Sequence, residues 1–272
     1  MKVLITGATG LVGARLLPRL VADGLDCHAV VRRPGSLPPG VTEVIADLFD
    51  SDSLRSAIAG VDAIIHLAAV FRTADTDLIW KTNLEGTRNL IAAAQQHAPG
   101  ARFVMASTAH VYGTNSATPG REDDVITEPV PAYPASKLAA ENLLRDSGLT
   151  WCIQRYGFIY GDQDGHLESL SGLAVDAGFH PAQRMSLIHH RDIATAMRLA
   201  LNGALDGQVV NITDDAPTSV YELVQKAGGD MQPSSEALAN PWHLHMDGSL
   251  ARRLGFRPTV RTIDHAVELG AM

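Results

Sequence analysis

The chain has little of what would mark it as secreted, membrane-spanning or disulfide-built. Only two cysteines occur in its 272 residues. Cys27 and Cys152 both fall in apolar stretches that read as parallel strands, so packed, reduced thiols are expected rather than a disulfide. No apolar run reaches the roughly 20 residues of a membrane-spanning helix, and the run before the first glycine is too short for a secretory core segment. A cytoplasmic setting is the expectation. A net charge of −8 leaves no general basic surface, so neither nucleic acid nor a membrane is expected as a partner. No repeat or low-complexity tract is present, and no metal is expected. What remains is ordinary for a globular enzyme, 46% apolar and 19% charged, in a chain long enough for one core with an appended lobe.

Against that background the segment from Lys2 to Gly13, K-V-L-I-T-G-A-T-G-L-V-G, is unusually informative. Val3, Leu4 and Ile5 are apolar without alternation, as in a parallel strand covered on both faces. Gly7 permits a tight turn, Gly10 keeps a Cβ away from an approaching pyrophosphate, and Gly13 lets the next helix lie close to the strand. That helix aims its free N–H groups at the phosphates. A strand, a glycine triplet and a helix in this order predict a dinucleotide cradle.

The remaining chain alternates strand and helix patterns through residue 156, which predicts an α/β fold of Rossmann type, a doubly wound parallel sheet with a small C-terminal substrate-binding lobe. Leu11 to about Asp23 reads as a helix that Pro18 should distort. The second strand, Cys27 to Val31, ends in Arg32-Arg33-Pro34 with no Asp or Glu. A carboxylate there would bind the adenosine ribose hydroxyls, whereas arginine meets a 2′-phosphate, so NADP is favoured over NAD. A third strand ends at Ala46. The fourth is expected over Ala63 to Ala69, with His66 read as a packed, hydrogen-bonded histidine. A long helix from about Asp75 to His97 carries Asn83-Leu84-Glu85-Gly86-Thr87, polar groups and a glycine that imply a close approach there. The fifth strand, Arg102 to Ala106, delivers Ser107-Thr108, and a polar loop ends in Pro129 and Pro131. After Gly157 the rhythm breaks. Residues 1–156 with 189–212 are expected to form the dinucleotide-binding domain, and 157–188 with 213–272 the small lobe over the carboxyl edge of the sheet.

Tyr133 and Lys137 lie four apart at the start of a helix, on one face. A phenol is a poor base at neutral pH, but a nearby ammonium favours the phenolate and should lower its pKa. Together they form a candidate acid/base unit.

These pieces, in order, resemble an extended short-chain dehydrogenase/reductase of the NAD(P)-dependent epimerase/dehydratase family. The matching segments are Thr6 to Gly13, Asp47-Leu48, His66 to Ala69, Asn83 to Thr87, Ser107-Thr108, Val111-Tyr112-Gly113, Tyr133 with Lys137, Arg155-Tyr156-Gly157 and His189 to Ala194. The resemblance implies that Tyr133 is the acid/base, that Lys137 holds the nicotinamide ribose and tunes it, and that Thr108 bonds the reacting oxygen. It implies cofactor contacts from Gly7, Thr9, Gly10, Leu11, Val12 and Gly13, with Asp47 and Leu48 at the adenine. Leu67, Ala68 and Ala69 would line the cofactor channel, with Asn83, Ser107 and Tyr156 as further contacts, Tyr156 beside the carboxamide. A homodimer through paired helices is also implied. Two departures narrow the substrate. Ala109-His110 replace the acidic pair that dehydratases place after the threonine, and Met185 stands where epimerases hold their nucleotide with arginine. A smaller hydroxy or keto compound is therefore expected, a sugar, sugar acid or similar polyol, with Arg72, His110, Arg155 and His166 as candidate contacts. A nucleotide-sugar epimerase and a non-catalytic dinucleotide-sensing or scaffold protein are the alternatives.

Overall fold

The computed structural model describes residues 1–113, 116–126, 131–176 and 178–272. The strands are β1 (Lys2–Thr6), β2 (Asp26–Val31), β3 (Val41–Ile45), β4 (Ala63–His66), β5 (Arg102–Thr108), β6 (Thr150–Tyr156), β7 (Phe158–Tyr160), β8 (Arg184–Met185), β9 (Leu187–His189), β10 (Gln208–Ile212) and β11 (Thr218–Ser219). The helices are α1 (Leu11–Ala22), α2 (Ser51–Ile58), α3 (Thr76–Trp80), α4 (Thr87–His97), α5 (Ala132–Arg145), α6 (Leu170–Asp176), α7 (His190–Leu201), α8 (Val220–Lys226), α9 (Ser249–Arg253) and α10 (Ile263–Glu268).

Seven strands form one sheet in the order β10-β6-β5-β4-β1-β2-β3, parallel at every pairing. The Rossmann-type fold is thus the observed one. Its period-two pleat sends Val3 and Ile5 to one face and Leu4 to the other. Val3 and Ile5 pack with Leu16, Leu17 and Leu20 of α1 and with Ile193 and Met197 of α7. Leu4 packs with Leu54 of α2, Leu90 of α4 and Leu144 of α5. Because β2 lies on one side of β1 and β4 on the other, the chain reverses its winding at β1, and the crevice beyond the carboxyl ends of β1 and β4 is where such sheets bind ligands.

Several boundaries differ from expectation for identifiable reasons. The fourth strand stops at His66, because Leu67 N–H makes a bond to Thr6 O (3.2 Å) while Ala68 N–H turns to the Thr6 hydroxyl (3.3 Å). The fifth strand runs on to Thr108, since β6 keeps pairing through Tyr156. The helix expected over 75–97 is divided by a π-helical turn at Lys81–Gly86. The close approach expected there is real. A Cβ on Gly86 would stand 3.1 Å from Leu48 Cδ1. Helix α1 passes unbroken through Pro18. Pro129 lies outside the described residues, and Pro131 caps α5.

The lobe has its own apolar cluster, built on Tyr160, Leu170, Met185, Leu187, Val220, Leu223 and Ile263. One part of the expected lobe belongs elsewhere: Ala251 and Phe256 pack into the core of the sheet, under β10. Cys27 and Cys152 are both buried free thiols, pushed up to about 11 and about 12 by burial.

Candidate active site

A cleft of about 1140 Å³ opens along the carboxyl ends of β1, β2 and β4. Its walls include Gly7, Thr9, Gly10, Leu11, Val12, Gly13, Arg32, Arg33, Asp47, Leu48, Leu67, Ala68 and Ala69. The glycines divide the labour as the motif predicts. Gly7 has φ +69°, and a Cβ there would stand 2.6 Å from Ala68 N. A Cβ on Gly13 would stand 2.3 Å from Gly7 O, so only glycine lets α1 sit this close to the turn. A Cβ on Gly10 would meet only Gly7 O, at 3.2 Å, so here the missing side chain leaves the cleft floor bare. With the N-terminus of α1 aimed at that floor, the residues present fit a dinucleotide pyrophosphate.

At the far wall, Arg32 and Arg33 are exposed, and among the described residues neither is paired with a carboxylate. The Asp47 carboxylate accepts Phe49 N–H at 2.9 Å. Leu48 is held by Asn89, whose amide donates to its carbonyl at 2.9 Å, and by the notch at Gly86.

At the carboxyl end of β5 Thr108 lies beside the Tyr133 phenol, near enough to bear on its titration. Burial pushes that phenol up to about 12, and the neighbouring Thr108 hydroxyl offsets this only in part. The lowering expected from Lys137 does not occur. Lys137 is itself desolvated, 2% exposed, and burial pulls it down to about 8 against the opposing charge of Glu141. Burial thus shifts both groups toward their neutral forms, but at neutral pH only the phenol is neutral: Tyr133 holds its proton, while Lys137, at about 8, is still mainly an ammonium.

Four other expected contacts have internal partners and lie outside the cleft walls. The Ser107 hydroxyl donates to Glu141 Oε1 at 2.5 Å. The Asn83 amide oxygen accepts Val70 N–H at 2.7 Å, while its nitrogen donates to Val70 O and Ser136 Oγ at 3.0 and 3.2 Å. The buried Tyr156 hydroxyl donates to Gln154 Oε1. Arg155, 1% exposed, is taken up by Glu141 and by the Tyr112 hydroxyl at 3.0 Å. As a substrate contact Arg155 is corrected: a guanidinium so enclosed positions other side chains and does not reach a substrate.

His66 is the packed histidine expected, and its tautomer follows from its neighbours. The Thr87 hydroxyl donates to Asn83 O (2.6 Å), so it accepts from His66 Nε2–H (2.8 Å), which leaves Nδ1 to accept the Thr6 hydroxyl (2.7 Å). Burial first, and the Lys137 charge second, drop its pKa to about 3.

The other three expected substrate contacts gather around Tyr133. Phe71 lies against the phenol ring, with centroids 4.3 Å apart, and the His110 ring stands 5.9 Å from Phe71 and 6.4 Å from Tyr133. The Arg72 guanidinium sits 5.3 Å over Phe71 and is hydrogen-bonded to His166, which stacks on Phe158 at 4.3 Å.

The NAD dependent epimerase/dehydratase family matches residues 3–213. The chain belongs to that family, within the extended short-chain dehydrogenases/reductases. Among solved structures, this family member is similar to a short-chain dehydrogenase/reductase superfamily protein from Agrobacterium tumefaciens with bound NAD: 26% identity, TM-score 0.80, covering 99% of this chain and 95% of that one. It is also similar to Thermus thermophilus UDP-glucose 4-epimerase in complex with NAD, at 25% identity, TM-score 0.77, and 97% and 98% coverage. Among curated proteins it is 28% identical to a 3-beta-hydroxysteroid dehydrogenase of Mycolicibacterium neoaurum over 82% of this chain and 68% of that protein.

The dinucleotide site of this epimerase/dehydratase-family chain includes wall residues that its motifs did not single out: Val31, Phe49, Val70 and Thr82. Each follows directly on a motif or precedes one, so adjacency was the available signal. Glu141 also went unnoticed, although it repeats the four-residue step from Tyr133 to Lys137. Nothing in the sequence announced Phe71.

Proposed function

We propose that this protein is an NAD(P)-dependent oxidoreductase or epimerase acting on a carbinol or carbonyl carbon of a sugar, sugar acid or similar small polyol. The observation that carries the reading is the placement of Tyr133 and the buried Lys137 one turn apart on α5, with Thr108 at the end of β5 beside the phenol, in a chain that also carries a glycine-lined dinucleotide cleft. When bound, the dinucleotide supplies or accepts a hydride at its nicotinamide. Tyr133, protonated at neutral pH, donates its proton to a carbonyl oxygen as that oxygen gains negative charge, and recovers it in the reverse direction. Thr108 donates to the same oxygen and aligns it. Lys137, kept from water, stabilises the phenolate left behind, as an opposite charge does. The lobe built on the Tyr160, Leu170, Leu223 and Ile263 cluster is proposed to cover the reacting compound and exclude water.

NADP is proposed as the preferred cofactor. The support is the pair Arg32 and Arg33 at the end of β2, exposed and without a carboxylate partner among the described residues, where a 2′-phosphate would accept charge-assisted bonds. Both solved relatives above hold NAD, so the arginines alone carry this preference. A nucleotide sugar is a weaker fit, because Met185 is 2% exposed and Arg184 donates to Pro217 O at 3.1 Å. A homodimer is proposed through the helical stretch of residues 75–97 and α5, which lie side by side; its mass in solution tests this.

Following reduced-nicotinamide absorbance with a panel of aldoses, uronic acids, ketoses and hydroxy acids tests the activity. Turnover that requires Tyr133 supports it. Tight cofactor binding with no turnover across the panel would favour the dinucleotide-sensing alternative.

A further inference from the structure

The loop after Ala69 carries a positive charge to the mouth of the site and leaves it without a counter-charge. Arg72 is exposed and adopts φ +57°, a left-handed conformation uncommon for a residue with a Cβ. In that conformation its guanidinium lies over the Phe71 ring, and Phe71 in turn lies on Tyr133. The charge is thus held one ring away from the phenol.

The neighbours of Arg72 do not neutralise it. His166 Nδ1 is bonded to Ile159 O at 2.8 Å, an acceptor only, so Nδ1 carries the proton and Nε2 accepts from Arg72. The partner of the guanidinium is therefore a neutral ring, and burial, with the Arg72 charge second, keeps His166 below the usual histidine range. Two nearby acids are committed: Asp75, three residues on, caps α3 by accepting Leu78 N–H at 2.9 Å, and Asp164 accepts from His190 Nε2 at Oδ2 and from His166 N–H at Oδ1, both at 2.8 Å. Among the described residues no carboxylate lies within salt-bridge distance of Arg72, whereas Arg19, Arg102, Arg155, Arg198 and Arg252 each have one. His110 adds a further nitrogen ring to the same rim.

We propose that the substrate is itself an anion, and that Arg72 takes its oxyanion, a carboxylate or phosphate a few atoms from the reacting carbon, while Phe71 packs against the intervening carbon skeleton. An uncharged polyol would leave the guanidinium without a partner. An oxyanion accepts two parallel N–H···O bonds from the guanidinium fork and fixes the reacting carbon relative to Tyr133 and Thr108. This rests on the oxidoreductase reading above for the reaction, but not for the binding.

The test measures binding to the protein loaded with NADPH, read by the fluorescence of the reduced nicotinamide. Probes are uronates and aldonates, each paired with its uncharged amide, and sugar phosphates, each paired with the free sugar. The expected result is at least one anion bound roughly tenfold or more tightly than its uncharged partner, with that ratio collapsing in Arg72→Asn, which suits the left-handed backbone, and partly kept in Arg72→Lys. Preference for the carboxylate or the phosphate series identifies the oxyanion. Equal binding of charged and uncharged partners, no binding by any probe, or a ratio that survives Arg72→Asn overturns the proposal. Turnover run in parallel separates the two readings. Tyr133-dependent turnover confined to uncharged compounds removes the anion and keeps the oxidoreductase. Arg72-dependent anion binding with no Tyr133-dependent turnover does the reverse.

Discussion

Glu141 and Arg155 hold each other through two hydrogen bonds in the interior beneath the reacting centre, Nη2 to Oε2 at 2.7 Å and Nε to Oε1 at 3.1 Å. The same carboxylate accepts Ser107, the residue before Thr108, and stands one helical turn from Lys137. Removing one partner of such a pair leaves a charge in the interior. Arg155→Met is expected to lower unfolding free energy by about 3–5 kcal/mol, and the Arg155→Met, Glu141→Met pair to recover much of that loss. Urea unfolding of the three proteins checks it.

Lys137 gives stability a specific pH dependence. Burial lowers it from 10.5 to about 8 in the folded chain. Between these values the unfolded chain binds the extra proton, so stability contributed by this group rises with pH across the window. Below pH 8 the buried ammonium costs on the order of 3 kcal/mol relative to an unperturbed lysine. Lys137→Met should therefore be more stable than the natural protein at pH 7, and the difference should shrink as pH rises from 8 to 10.5. Melting both proteins across that range measures the gap. A difference that does not change with pH would contradict the assignment.

Tyr133→Phe removes the proton donor and keeps the ring that Phe71 packs against. Turnover should fall by about 10²–10⁴-fold with cofactor affinity nearly unchanged. Activity within a factor of a few of the natural protein would take Tyr133 out of the mechanism.

Cofactor choice is expected to follow Arg32 and Arg33. A charge-assisted hydrogen bond contributes about 1.5–3 kcal/mol, less where exposed, so NADP should bind roughly tenfold more tightly than NAD. The Arg32→Ala, Arg33→Ala double variant should lose that preference. Calorimetric titration with both dinucleotides decides the matter, and equal affinities in the natural protein would show that the arginines only face water.

The fold and the cradle were legible because each rests on a local rule. Gly7 and Gly13 occupy backbone positions where a Cβ collides with main-chain atoms, and the parallel pairing of the sheet follows from the alternation of β and helical segments. The failures were tertiary. A polar residue at a strand end has the same chemistry whether it meets a ligand or another part of the chain, so Arg155 looked like a substrate contact although Glu141 and Tyr112 enclose it. The π-helical turn at Lys81–Gly86 is invisible to a 3.6-residue period. Tyr133 and Lys137 were identifiable by spacing, but their titration depends on how much water reaches them, and spacing carries no information on that.

The clamp of Asn83 on both the N–H and the carbonyl of Val70 has a consequence for how such a protein diverges. Upstream of the clamp, residues 67–70 wall the dinucleotide cleft. Downstream, Phe71 and Arg72 face the reacting centre. Because the main chain is pinned between the two stretches, a lineage can exchange the side chains at 71 and 72, and with them the compound it recognises, without disturbing the binding of its coenzyme.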